Sequence, residues 1–108
     1  MLSKIKMSVI SLGSSNFEKE VLNYEGTVIV DFFATWCNPC RMQSPIIDEI
    51  AKEKDGIIKV CKLDVDNAPE WAEKYEVMSI PTIIIFNKGN VVNQFVGLTS
   101  KEEIEEKI

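Results

Sequence analysis

Thr27-Val28-Ile29-Val30-Asp31-Phe32-Phe33-Ala34 runs almost without a polar break into Trp36-Cys37-Asn38-Pro39-Cys40. A run this apolar reads as a central strand covered on both faces, so it calls for helices on either side of a sheet. Beyond it, Met42, Ile46, Ile47, Ile50 and Ala51 recur at helical spacing, and a helix of about 38–54 follows the strand. The two cysteines therefore stand at a helix start, on one face, roughly 5–6 Å apart at Cβ. That separation suits a disulfide with little backbone movement. The partial positive charge and unpaired N–H groups of a helix N-terminus favour a thiolate over a thiol.

The remaining elements alternate along the chain. Met7 to Ser11 is a short strand. Ser15-Asn16-Phe17-Glu18 has capping-box spacing and opens a helix with Phe17, Val21 and Leu22 on one side. Pro45 lies inside the long helix and should kink it, and Gly56 ends it. Ile57 to Val65 is the next strand. Asn67-Ala68-Pro69-Glu70 caps a short helix holding Trp71 and Tyr75. Thr82 to Phe86 is a buried strand, Asn87-Lys88-Gly89-Asn90 a turn, and Val91 to Val96 its hairpin partner. Ser100 caps a last helix with Glu103 in the capping-box position and Ile104 and Ile108 as its apolar stripe. The order β-α-β-α-β-α-β-β-α gives an α/β domain with a mixed sheet, parallel where crossovers build it and antiparallel at the hairpin.

A chain of 108 residues reads as one domain, 1–108. Its net charge of −5 argues against nucleic acid or an anionic membrane as the main partner. No stretch approaches the roughly 20 apolar residues of a spanning helix. Lys4, Lys6, Ser8 and Ser11 interrupt the N-terminal segment, so no signal peptide is expected and the protein reads as cytoplasmic. Three cysteines, an odd number, also fit a reducing compartment better than a disulfide-stapled fold.

By themselves Cys37 and Cys40 fit a redox dithiol or a metal site. The chain has no histidine, and Cys61 alternates with Leu63 and Val65 as a buried structural thiol, so a closed four-ligand site is not expected. Asp31 sits in an otherwise apolar strand, where burial raises a carboxyl pKa. It is either a proton-transfer group or a carboxylate hydrogen-bonded for structure. Lys62 alternates with Ile58 and Val60, and is either an inward counter-charge for Asp31 or a snorkelling surface lysine. Arg41, next to Cys40, adds a little positive potential.

Val30-Asp31-Phe32-Phe33-Ala34-Thr35-Trp36-Cys37-Asn38-Pro39-Cys40, Lys62-Leu63-Asp64-Val65-Asp66, Ser79-Ile80-Pro81-Thr82 and Phe95-Val96-Gly97 together resemble the thioredoxin family, from about Val9 to Ile104. The chain departs from the usual family pattern at Asn38, where glycine is common, and at Phe33, where tryptophan is frequent. The resemblance implies the thioredoxin fold, a central mixed sheet flanked by helices. It implies a general protein disulfide reductase that uses no bound cofactor and works as a monomer. A thioredoxin reductase would reduce it, and its targets would be disulfide-containing proteins such as reductases and peroxidases that need dithiol reduction.

Cys37, first in the helix and most exposed, would attack the target disulfide, and the deeper Cys40 would resolve the mixed disulfide. The resemblance implies proton transfer between Asp31 and Cys40, with Lys62 as the paired charge. It also implies a cis bond before Pro81, in a loop beside the dithiol. Trp36, Pro39, Met78, Ile80, Gly97 and Leu98 would form an apolar rim that docks target chains, with Ile80 offering backbone groups as a strand does. Two other classes stand against this reading: a metal or iron–sulfur binder, and an interaction subunit with an idle dithiol. Oxidising and isomerising members often carry histidine between the cysteines, and this chain has none.

Overall fold

The computed structural model describes residues 9–108. Met7 and Ser8, which open the first expected strand, lie outside that range. The elements are β1 (Val9–Leu12), a π-helical turn (Glu18–Leu22), β2 (Thr27–Phe33), α1 (Asn38–Glu53), β3 (Lys59–Asp64), α2 (Pro69–Lys74), β4 (Thr82–Asn87), β5 (Asn90–Val96) and α3 (Lys101–Glu105). They form a five-stranded sheet in the order β1-β3-β2-β4-β5. β3 runs parallel to both β1 and β2, while β4 is antiparallel to β2 and β5. This is the α/β class and the mixed sheet that the element order implies.

β2 is central because both of its faces are apolar. Val28, Val30 and Phe32 pack against Phe17, Leu63 and Phe86 on one side. Ile29 packs on the other side, against Ile47 and Ile50 of α1 and Ile104 of α3. The period of two along the strand thus sends alternate residues into two separate cores. Asp31 shares its side with Ile29, so its carboxyl lies on the α1 face. On β3 the same alternation sends Val60 to the α1 face and Cys61 and Leu63 to the other.

Several local expectations are corrected. Ser15 caps nothing. The turn before Phe17 is held by Asn16, whose Oδ1 accepts from the Gly13 N–H at 2.7 Å and whose Nδ2 donates to the Ser11 carbonyl. The helix that follows is wider than an α-helix, with the Asn23 N–H donating to the Glu18 carbonyl at 2.9 Å. Asn67 does not cap α2 either; Ala68 is the N-cap, Pro69 follows it, and the Asn67 N–H donates to the Asp64 carbonyl. Ile108 lies past the end of α3 and is exposed, so the apolar contact of that helix is Ile104 alone. Pro45 lies inside α1, where the sequence puts it.

The Ser100–Glu103 capping box is present in both directions. The hairpin turn places Lys88 and Gly89 at φ of 52° and 83°. Two left-handed residues in succession match the right-handed twist of the flanking strands. Gly89 is also required for space, since a Cβ there would stand 2.5 Å from the Leu22 carbonyl oxygen.

Candidate functional site

β2 delivers the chain to the cysteines. Beyond Phe33 the backbone turns, with the Cys37 N–H donating to the Ala34 carbonyl at 3.3 Å. Cys37 is the N-cap of α1 rather than its first helical residue, and Pro39 falls in the first turn, where a missing N–H costs no hydrogen bond. Cys37 and Cys40 are joined by a disulfide with their Cα atoms 5.2 Å apart. The Cys40 N–H donates to Cys37 Sγ at 3.1 Å. An N-cap sulfur facing a free helical N–H is where a thiolate is held once the disulfide opens.

Neither sulfur is widely open. Cys37 is 5% exposed and Cys40 3%, which corrects the expectation of an exposed Cys37. Phe33, Val65 and Ile80 pack against the pair, and the Ile80 carbonyl oxygen lies 3.8 Å from Cys37 Sγ. The Ile80–Pro81 bond is cis. Pro81 itself is buried, and its carbonyl accepts from the Gly97 N–H at 2.8 Å, which joins the segments that carry Ile80 and Leu98. Of the residues expected to line a rim, Trp36 is 67% exposed, Met78 91% and Leu98 48%, Pro39 is also exposed, and Ile80 and Gly97 are half-buried.

Asp31 is fully buried on the α1 side of the sheet, and neither of its oxygens has a hydrogen-bond partner. Burial pushes its pKa up to about 7; the Lys62 charge opposes this and the Asp48 charge on α1 adds to it. Lys62 is the register partner of Asp31 on β3. Its ammonium does not bond the carboxyl. It donates to Ser44 Oγ on α1 at 2.8 Å and sits 5.0 Å from the centre of the Phe33 ring. Lys62 thus turns toward α1, and its charge acts on Asp31 without a hydrogen bond between them.

Four further side chains shape the site and were not singled out as site residues from the sequence. Asp66 Oδ2 accepts from the Trp36 indole N–H at 2.9 Å. Ser44 holds Lys62. Gln43 is fully buried and bonds the backbone of Thr99, just past Leu98. A signal for it existed: Gln43, Ile47 and Ile50 share one helical stripe, so a polar residue there had to be buried. Arg41, read only as a diffuse positive charge, donates to the Thr35 carbonyl at 3.0 Å and to Asn38 Oδ1 at 3.2 Å, bracing the loop at the position where glycine is usual. The Cys61 thiol lies in the opposite core, where burial pushes its pKa up to about 12. Among the described residues no three His, Cys, Asp or Glu side chains gather as metal ligands, and no helix is long and apolar enough to cross a membrane.

The family model described as Thioredoxin matches residues 8–108. The chain is 44% identical over 102 residues to the thioredoxin of Staphylococcus saprophyticus, covering 94% of this chain and 96% of that one. It is 44% identical over 100 residues to the thioredoxin of Staphylococcus haemolyticus, covering 93% and 94%. Against the thioredoxin of Staphylococcus aureus (strain Mu50) it is 43% identical over 100 residues, with the same coverage. With a disulfide at the N-cap of α1 inside this mixed sheet, the chain belongs to the thioredoxin family and is a thiol–disulfide oxidoreductase.

Proposed function

We propose that the chain is a general protein disulfide reductase working as a single domain, with the roles divided among its residues as follows. The Cys37 thiolate attacks one sulfur of a target disulfide. The target S–S bond breaks, a Cys37–target disulfide forms, and one target thiolate leaves. Cys40 then loses its proton to the Asp31 carboxylate and attacks Cys37 Sγ. The Cys37–Cys40 disulfide forms and the second target thiolate leaves. Two electrons have passed from the dithiol to the target, and a reductase of the thioredoxin reductase kind returns them.

The observation that carries this reading is the pairing of Cys37 at the N-cap, where its sulfur accepts from the Cys40 N–H, with a buried Asp31 that has no hydrogen-bond partner. A base with a pKa of about 7 is matched to taking and returning a proton near neutral pH. Trp36, Met78 and Leu98 supply the apolar surface that seats a target chain, and the Ile80 backbone beside Cys37 is placed to bond it as a strand would. Cys61, left as a free buried thiol, supports a reducing compartment, the cytoplasm. Reduction of insulin by dithiothreitol, followed by turbidity, tests the proposal. Catalytic amounts of the protein should accelerate precipitation, and no acceleration over dithiothreitol alone overturns it.

A further inference from the structure

The placement of Lys62 is unusual in one respect. It stands across the sheet from a buried carboxyl with two unpartnered oxygens, yet its ammonium is spent on a neutral hydroxyl. A bond to an ionised carboxylate is the stronger of the two. What competes with it is geometry. Cys40, Ser44 and Asp48 succeed one another at intervals of four along α1 and so share one helix face. That face meets the sheet where Asp31 and Lys62 are register partners. Ser44 Oγ takes the ammonium at 2.8 Å, and the Phe33 ring at 5.0 Å braces the same group.

We propose that Ser44 is a positioning residue for the redox reaction: its hydroxyl holds the Lys62 ammonium on α1, so the Asp31 carboxylate stays free to accept the proton of Cys40. This rests on the proton-transfer reading of Asp31 above. A lysine bonded directly to Asp31 would hold the carboxylate ionised and weaken it as a base, since an opposite charge at contact lowers a carboxyl pKa by about 1–3. A lysine removed altogether would leave the desolvated carboxyl still harder to ionise. Ser44 keeps the charge near enough to temper burial and too far to quench the base. The groups that act on Asp31 are few. Lys62 reaches it from β3 and Asp48 from α1, while its β4 partner is the apolar Ile83. Cys37 and Cys40 titrate only in the dithiol state.

The test reads Asp31 directly, by its side-chain carboxyl carbon in NMR titrations of the disulfide form, where the cysteines do not titrate. In Ser44→Ala the midpoint should fall by about one pH unit or more as Lys62 swings to Asp31. In Ser44→Thr, which keeps the hydroxyl, it should stay at the parent value. Adding Ser44→Ala to Lys62→Met should leave the midpoint where Lys62→Met alone puts it. The acid limb of the pH profile of insulin reduction should move down with the midpoint in Ser44→Ala. An unchanged midpoint in Ser44→Ala, or an equal fall in Ser44→Thr, overturns the role of Ser44. Failure of the underlying reading shows separately, as an Asp31→Asn variant with an unchanged rate and pH profile.

Discussion

Gln43 and Thr99 exchange two hydrogen bonds inside the protein: the Gln43 side-chain amide donates to the Thr99 carbonyl at 3.0 Å, and the Thr99 N–H donates to Gln43 Oε1 at 2.8 Å. The amide acts as a strand would, satisfying a buried stretch of backbone that the sheet cannot reach. It fixes the loop carrying Leu98 to α1, one turn beyond Cys40. Replacing Gln43 with leucine keeps the bulk but leaves both Thr99 groups without partners. We expect a loss of about 2–3 kcal/mol in guanidinium unfolding, as a lower midpoint with an unchanged slope, together with faster amide exchange at Thr99. Parent-like stability would count against the clamp.

The cysteine roles separate cleanly in variants. Cys37→Ser should reduce insulin turnover to the dithiothreitol background. Cys40→Ser retains the attacking thiol but cannot resolve, so covalent adducts with target proteins should accumulate and vanish on reduction. Absence of such adducts on non-reducing gels, or their appearance with Cys37→Ser instead, reverses the assignment.

Asp31 makes stability depend on pH. Its carboxyl has an ordinary pKa of 3.8 and is pushed up to about 7 in the fold, so the folded state binds the proton more tightly than the unfolded one. The contribution is fully present below pH 4 and is lost as pH rises through about 7. The gap corresponds to roughly 4 kcal/mol. Asp31→Asn should therefore stabilise the protein at pH 8 by a sizeable part of that amount and far less at pH 4.5. Equal effects at the two pH values in denaturant titrations would show that the carboxyl titrates normally.

Trp36 is an exposed ring held by one bond, from its indole N–H to Asp66. Asp66→Ala frees the ring without removing its apolar surface. A hydrogen bond worth about 0.5–1 kcal/mol translates into a KM for insulin raised about 2–5-fold, with kcat little changed. Reduction of a small aromatic disulfide, which needs no docking surface, should be unaffected. If both substrates suffer alike, Asp66 acts on the dithiol rather than on the rim.

Much of this was legible in the chain because it is local. The apolar run of β2, the α1 stripe through Ile47, Ile50 and Ala51 (though not the exposed Met42 expected in it) and the Ser100–Glu103 box are set by residues within a few positions of one another. The departures have physical causes of their own. Ser15 and Asn67 carry the right cap chemistry at the right spacing, but the Asn16 side chain ties the first turn back to Gly13 and Ser11, and the Asp64 carbonyl takes the N–H groups of Asn67 and Ala68. Cys37 looked exposed because it opens a helix; Val65 and Ile80, distant in sequence, join Phe33 in covering it.

The sequence alone determined that Cys37 and Cys40 stand at a helix start behind a buried strand, and that Asp31 lies in that strand. Spacing and apolar pattern act over one or two turns, and those relations need nothing more. The tertiary structure decided which group each polar side chain meets. Register set Lys62 opposite Asp31, but the approach of α1 gave its ammonium to Ser44. Packing of β3 against the motif loop brought Asp66 to Trp36, and the return of the chain after β5 brought Thr99 to Gln43. Hydrogen bonds form over about 3 Å, and no pattern in the chain measures that distance between residues far apart in sequence.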